Sequence, residues 1–306
     1  MTDAAKGLIA MICASVLWGL SPIVFKALTG VPPIEVLAHR TFWSSVIFGV
    51  VLMIQGQFGA LVRAFADVRY AVWIAIAAAL VFGNWYLFIW AIQSGYATQS
   101  ALGFYIFPLV AVIIGRLFFA ETLTLGQWIA VGLATGAVGL LTYGLGAVPW
   151  IALVLSVCFG IYGMIKKRLA MRAMVSVTAE MIVLLPIAVL ILWQTSHNGT
   201  GNFGGWNIRT ALLIFSGPLT AIPMILFTYA TARLTMTSVG LISYINPTLQ
   251  FFCAVVLFSE PFTGWHFIAF GLIWGALALY SVTTFRQERS RRRADSAALA
   301  SGTSVI

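Results

Sequence analysis

The sequence predicts an all-α integral membrane protein in which ten transmembrane helices form two inverted five-helix repeats. Its composition, the length of its apolar segments and a set of residues that recurs along the chain support this prediction. Of the 306 residues, 61% are hydrophobic and 8% are charged, whereas about a quarter of the residues in a soluble domain are charged. Most of the surface is therefore expected to face lipid.

Ten apolar segments, each about 20 residues long, match the length of an α-helix that crosses the ~30 Å hydrocarbon core of a bilayer. They lie between polar or Gly- and Pro-containing breaks, at 8–28, 34–54, 70–92, 98–118, 125–143, 149–165, 176–193, 210–231, 235–258 and 264–284. The first segment is too long for a signal peptide and lacks a small-residue cleavage site. We therefore expect it to remain as helix one.

The basic residues indicate how the chain is oriented. With ten helices both termini share one side, and that side carries fourteen Lys and Arg residues, against Lys26 and Arg209 on the other. The positive-inside rule therefore predicts cytoplasmic termini. The cluster from Arg286 to Arg293 is interpreted as an anchor beside anionic lipid and not as a nucleic-acid site. Residues 286–306 are predicted to form a basic, disordered cytoplasmic tail.

Landmark residues of the first half recur in the second half. At a distance of 139 residues Gly103–Pro108 corresponds to Ile242–Pro247, and Glu121, Gly132 and Gly136 correspond to Glu260, Gly271 and Gly275. At a distance of 141 residues Ser15–Gly19 corresponds to Ser156–Gly160 and Lys26 to Lys167. These matches divide the chain into a cytoplasmic N-terminus at 1–7, a first five-helix repeat at 8–146, a second repeat at 147–285 and the tail.

Because five is odd, the second repeat must enter the membrane from the opposite face. Inverted repeats are typical of carriers that work by alternating access, since two equivalent halves of opposite orientation can exchange conformations at similar energy. The alternative interpretation is that duplication produced only a stable helical scaffold.

Several of these residues together resemble the drug/metabolite transporter superfamily, in particular its EamA/RarD branch and the YddG-type exporters of aromatic and neutral amino acids. They are Trp18-Gly19, His39-Arg40, Tyr105-x-x-Pro108, Tyr244-x-x-Pro247, Glu121 and Glu260. The resemblance covers about residues 7–285. It implies a multi-pass exporter of the bacterial inner membrane, with a central cavity lined mainly by helices one, three, four, six, eight and nine.

A substrate site is expected near the bilayer midplane, where polar groups are costly unless they face a cavity or a partner. Asn84 fits that depth, either as a substrate ligand or as a hydrogen bond between helices. Aromatic residues are predicted to form cavity walls that suit planar or apolar substrates and cations, through stacking and cation–π contact: Trp18, Tyr105, Phe159, Tyr162 and Tyr244. The alternative is that these rings face lipid.

Four prolines fall inside predicted helices and remove a backbone hydrogen bond each, which allows either passive kinks or working hinges: Pro108, Pro218, Pro223 and Pro247. Helix eight, with two of them five residues apart, is expected to bend strongly. The Gly132-x-x-x-Gly136 and Gly271-x-x-x-Gly275 pairs are predicted to pack helices five and ten together. That internal contact favours a functional monomer.

Among the charged residues, Glu121 and Glu260 lie at helix ends and are assigned structural roles, and Thr124 with Gln127 has capping-box spacing. Glu180 is the carboxylate placed inside a helix. His39 and Arg40 lie near the opposite face of the membrane from Glu180, and these three are assigned gating or structural roles. Arg40 either closes the outer mouth or pairs with Glu35.

The sequence argues against an enzyme, because the three histidines and the apolar segments form no recognisable catalytic constellation. The three cysteines lie singly, so neither a metal nor another cofactor is expected. A receptor or scaffold, a multidrug carrier and a nucleotide-sugar carrier remain as alternatives. The preferred prediction is export of aromatic and neutral amino acids or related small metabolites by alternating access.

Overall fold

The computed structural model describes residues 3–119, 122–169, 171–234 and 236–300, and within these ranges the chain is helical and has no strand. Nine of the described helices are long and apolar enough to cross a membrane, and Ile245–Leu257 is a shorter apolar helix. Counting that shorter helix, the described residues form ten apolar segments in the predicted order, which confirms the predicted all-α membrane fold.

The spans follow the predicted order with shifted ends. They are span 1 (Asp3–Ala27), span 2 (Pro33–Ile54), span 3 (Val68–Gln93), span 4 (Ala97–Phe119), span 5 (Leu125–Leu145), span 6 (Trp150–Leu169), span 7 (Ala173–His197) and span 10 (Gly264–Ala300). A short helix, Phe58–Ala66, joins spans 2 and 3. Span 1 starts at the N-terminal end of the bundle and span 2 at the opposite end.

Spans 8 and 9 are interrupted. Span 8 consists of Ile208–Phe215 and Pro218–Thr231, so its break comes directly before Pro218, while Pro223 lies inside the second piece. Span 9 consists of Met236–Ser243, Ile245–Phe252 and a π-helical turn, Cys253–Leu257. Its break falls at Tyr244, before Pro247. Pro108 occupies the corresponding place in span 4 without interrupting that helix.

The two halves pack according to a two-fold relation. Span 1 packs against spans 8 and 9, as span 6 packs against spans 3 and 4, and spans 2 and 7, 5 and 10, and 4 and 9 pair with each other. Exchanging each span of the first half with its counterpart in the second half reproduces the same set of pairs. Two inverted five-helix repeats require this relation.

Glycine contacts show the same relation at residue level. A side chain at Gly126 would collide with Thr283, and one at Gly144 would collide with Trp265. Moving Gly126 and Gly144 along the chain by the repeat distance of 139 gives positions 265 and 283. The exchange of the two halves therefore converts the contact of Gly126 with Thr283 into the contact of Gly144 with Trp265.

The predicted role of the other glycine pairs is wrong. A Cβ at Gly132, Gly136, Gly271 or Gly275 would meet no atom within 4 Å, and these positions are exposed. Spans 5 and 10 do pack together, through a small-residue face that lies half a turn away: Ala130, Ala134, Ala137, Ala269, Ile273 and Ala276.

The helix ends contain one confirmed cap and one difference from expectation. Thr124 and Gln127 form the predicted capping box at the start of span 5. Span 10 continues to Ala300, so residues 286–300 are helical where a disordered tail was expected. That stretch is rich in Arg and Ala, which favour helix. Residues 301–306 lie outside the described residues.

Candidate substrate pathway

A series of aromatic rings runs through the interior between spans 1, 3, 4 and 6. Ring centroids are 5.9 Å apart for Phe25 and Phe88, 5.7 Å for Phe88 and Phe104, 6.2 Å for Phe104 and Phe159, and 5.6 Å for Phe159 and Tyr162. We call these five residues the aromatic column. The column contains two predicted site residues, Phe159 and Tyr162, and three that the sequence analysis missed.

At the N-terminal end of the bundle the column meets a buried ion pair. Lys166 Nζ lies 2.6 Å from Glu180 Oε1, and the Tyr162 hydroxyl donates to Glu180 Oε2 at 2.9 Å. Ser176 accepts a hydrogen bond from Lys166 at 2.6 Å and donates to Glu180 at 3.3 Å. Glu180 exposes 1% of its surface, so this network supplies the partners that a buried carboxylate requires.

At the opposite end of the column lies Arg40. Its Nε donates to Thr220 Oγ1 at 2.6 Å, and its guanidinium carbon lies 4.2 Å from the centroid of the Trp85 ring and 5.5 Å from that of Phe25. Arg40 is therefore held between spans 1, 3 and 8. Its side chain is buried, with 7% of the residue surface exposed.

The possible pairing of Arg40 with Glu35 is wrong. Glu35 accepts hydrogen bonds from the backbone N–H of Asn202 at 2.6 Å and from the Asn202 side chain at 2.9 Å. Arg40 follows Glu35 by five residues, which places the two side chains about 140° apart around the helix axis. Glu35 therefore faces the loop after span 7, and Arg40 faces the interior.

His39 also faces away from Arg40. Its ring packs on Phe203 with centroids 4.6 Å apart, and neither ring nitrogen has a hydrogen-bond partner. It lines a cavity of about 390 Å³ between spans 2 and 7 and the following loop, together with Glu35, Phe42, Trp43, Leu192, Thr195, Ser196, Gly199, Gly201 and Phe203. His39 therefore lines this cavity, whereas Arg40 contacts spans 1, 3 and 8 in the interior.

Asn84 lies where spans 3 and 6 meet. Its side-chain Nδ2 donates to the carbonyl of Leu155 at 2.9 Å, and the residue is 2% exposed. The structure therefore places this amide in a hydrogen bond between helices, which is the second of the two predicted roles. Its Oδ1 has no hydrogen-bond partner.

Tyr105 and Tyr244 both pack in one cluster that spans 4, 5 and 10 form, and neither belongs to the aromatic column. Tyr105 bonds to the Thr248 hydroxyl at 2.8 Å and packs on Phe270 and Trp274 of span 10. Tyr244 packs against the same cluster, and its carbonyl accepts a hydrogen bond from the Thr248 hydroxyl at 2.7 Å. Tyr105 faces span 10 because it is one residue, or about 100° of helix rotation, beyond Phe104.

Trp18 and its neighbour Gly19 have separate roles. The Trp18 ring packs on Phe227 of span 8 with centroids 5.8 Å apart. A Cβ on Gly19 would lie 2.7 Å from Leu249 Cβ, so the glycine permits close contact between spans 1 and 9. Gly160, the repeat mate of Gly19, meets Ile114 and Val110 of span 4 in the equivalent way.

Glu260 joins the two halves at the opposite end of the bundle. It accepts hydrogen bonds from the backbone N–H groups of Ala97 and Thr98 at 2.6 and 2.7 Å, and from the Thr98 hydroxyl at 2.7 Å. Glu260 therefore caps span 4, in agreement with its assigned structural role. Glu121 lies outside the described residues.

The residues that the structure describes contain no group of three or more His, Cys, Asp or Glu side chains able to hold a metal ion. The chemistry of the interior is instead that of aromatic rings placed between a buried cation and a buried ion pair. Such a site can bind a small organic molecule by stacking, apolar contact and one charged contact.

Residues 5–143 and 147–282 each match the EamA-like transporter family. Over 95% of its length the chain is 36% identical to an uncharacterized transporter of Vibrio cholerae, of which 97% is covered. It is 33% identical to the protein RarD of Salmonella typhi, with 94% of this chain and 98% of RarD covered.

It is also 33% identical to the uncharacterized transporter YojE of Bacillus subtilis, with 95% of this chain and 98% of that protein covered. A crystal structure 17% identical in sequence shares the fold, with a TM-score of 0.62, and the match covers 90% of this chain and 98% of that one. From the two matched halves and these relatives, we conclude that the chain belongs to the EamA-like transporter family and is a multi-pass membrane transporter.

Proposed function

We propose that this transporter exports aromatic and neutral amino acids, or related small metabolites, from the cytoplasm by alternating access. It acts in the bacterial inner membrane as a monomer with both termini in the cytoplasm, so the N-terminal end of the bundle faces the cytoplasm. The observation that carries the proposal is the aromatic column, which joins two regions of buried charge across the interior.

The column supports a substrate of matching chemistry. A planar side chain gains from edge-to-face and offset contacts with Phe88, Phe104 and Phe159. The polar end of the same molecule finds charged groups at Arg40 or at the Lys166 and Glu180 pair. Amino acids with aromatic or apolar side chains have this combination of one apolar part and one charged part.

The packing of the halves supports alternating access. At the opposite end of the bundle Glu260 of the second half holds the start of span 4, and residues of both halves, including Phe25, Leu37, Ile92 and Leu155, form one buried cluster. That end is closed in this structure. Release of a substrate there requires these contacts to open, and the two-fold relation of the halves makes such an exchange energetically accessible.

The test is flux through the purified protein in liposomes. Labelled phenylalanine, tyrosine, leucine and alanine are offered with and without a proton gradient, and empty liposomes serve as the control. We expect flux of the aromatic amino acids above the control. Absence of flux for all four, with folded and inserted protein, would contradict amino acid export and direct the search to drug-like or nucleotide-linked substrates.

A further inference from the structure

Arg40 carries a buried positive charge that no carboxylate with a described side chain balances. Five carboxylates have described side chains, and each is engaged elsewhere. Asp3 pairs with Lys6, Glu35 bonds to Asn202, Asp67 caps span 3, Glu180 pairs with Lys166, and Glu260 bonds to Ala97 and Thr98.

The surroundings of Arg40 fix its guanidinium group without neutralising it. Thr220 accepts from Nε, and the face of the Trp85 ring lies against the guanidinium carbon at 4.2 Å. Thr220 in turn donates its own hydroxyl proton to the carbonyl of Ser216 at 3.1 Å. The group is thereby oriented, while Nη1 has no hydrogen-bond partner.

A charged group in the interior of a membrane protein is costly unless it pairs with an opposite charge or serves a ligand. Cation–π contact with Trp85 offsets part of that cost but supplies no acceptor for Nη1. A planar guanidinium with free N–H groups binds a carboxylate through two parallel hydrogen bonds. A carboxylate therefore matches the charge and the hydrogen-bond donors that Arg40 presents.

We propose that Arg40 binds the carboxylate of the transported metabolite. This inference rests on the proposed function and names the part of the substrate that the site recognises. With the carboxylate at Arg40, the rest of the substrate extends along the aromatic column, because Phe25 contacts both the guanidinium and Phe88. The site then selects organic acids and zwitterions over amines and neutral amides.

The same positive charge would also attract an inorganic anion such as chloride. The two sources differ in a measurable way, because chloride in the site would make transport depend on the salt and not on the carboxylate of the substrate. A substrate carboxylate would make transport depend on that group in chloride and in gluconate alike.

The experiment compares phenylalanine with phenylalaninamide, which lacks only the carboxylate. Flux of both is measured in liposomes with the wild type, with Arg40→Lys and Arg40→Gln, and with Arg63→Gln, which removes an exposed arginine of the short helix after span 2. Each series is run in sodium chloride and in sodium gluconate. The melting temperature of each purified variant is measured with and without each compound.

We expect the wild type to carry phenylalanine on the order of tenfold faster than the amide in both salts, the usual effect of one charged contact. Arg40→Lys should lose most of that preference while remaining folded, and Arg63→Gln should keep it. Equal flux of acid and amide in the wild type would overturn the inference and leave transport established. Dependence on chloride with no acid preference would overturn it in favour of an inorganic anion.

If neither compound crosses the membrane, the melting temperatures separate the two proposals. Stabilisation of the wild type by phenylalanine, but not of Arg40→Lys, would retain the carboxylate site while amino acid export fails. No stabilisation by either compound, together with no flux, would overturn both.

Discussion

The Glu260 carboxylate accepts two hydrogen bonds from Thr98, one from its backbone N–H and one from its hydroxyl, each 2.7 Å long. The two residues belong to different halves, and their contact lies at the closed end of the bundle. Glu260 is therefore both a helix cap and a contact between the two halves at that end.

Glu260→Gln should weaken this link. An ionised acceptor contributes about 1–3 kcal/mol more than an unpaired or neutral one, so the closed end should open more often. In a cysteine-free background, spin labels at Tyr96 and Thr263 should move apart on average in the variant. Asp67→Asn, which alters a cap at the other end of the bundle, is the control. Unchanged distances in Glu260→Gln would show that the closed end is held by its apolar cluster alone.

Removing either member of the Lys166 and Glu180 pair should destabilise the protein more than removing both. Lys166→Met leaves a buried carboxylate unpaired, and Glu180→Gln leaves a cation facing Tyr162, each costing about 3–5 kcal/mol. The double variant removes both charges and should recover part of that loss. Thermal unfolding of the four proteins in detergent gives the coupling. Strictly additive losses would argue against a direct interaction between the two side chains.

Alanine substitutions should distinguish the glycines that pack from those that do not. Gly144→Ala places a methyl group against Trp265 and should cost about 1–3 kcal/mol. Gly132→Ala and Gly136→Ala lie in the same helix, face no protein atom, and should be neutral or stabilising by up to about 1 kcal/mol. The measurement is a comparison of the melting temperatures of the three variants with that of the wild type. A larger loss at Gly132 than at Gly144 would reverse our assignment of the packed face.

Phe104 and Tyr105 are adjacent, and we expect them to have different effects. Phe104→Leu opens a gap in the aromatic column and should reduce phenylalanine flux several-fold, because part of the stacking contact is lost. Tyr105→Phe removes the hydrogen bond to Thr248 and should cost about 1 kcal/mol of stability with flux retained. The measurement is initial flux normalised to folded protein. Loss of flux in Tyr105→Phe with no change in stability would indicate that the substrate site lies nearer to span 10 than to the aromatic column.

The sequence predicts the helices well because their signal is strong. A span needs about 20 apolar residues, and the repeat positions a second copy of each landmark. The capping box of Thr124 and Gln127 was also predictable, since a helix end needs a specific side chain at a fixed spacing. These features depend on local chemistry and on distance along the chain.

The faces of the helices were not predictable to the same extent. In a membrane both the lipid-facing and the protein-facing side of a helix are apolar, so Gly132 and Ala130 differ little as sequence signals. For the same reason the sequence analysis selected Tyr105, which has a repeat mate in Tyr244, as a site residue and did not select Phe104. The pairing of Glu180 with Lys166 could have been predicted from the sequence, because the two residues lie on consecutive spans, 6 and 7, close to where these spans are joined.

The paired contacts of Gly126 with Thr283 and Gly144 with Trp265 mark the place where the two halves are exchanged by their two-fold relation. Because the exchange maps this pair of spans onto itself, the alternating-access cycle proposed above would leave the contacts between spans 5 and 10 in the same form in both of its conformations. In that proposed cycle spans 5 and 10 would serve as a stationary reference for the other spans. Probes fixed there would measure how far the remaining spans travel in each transport cycle.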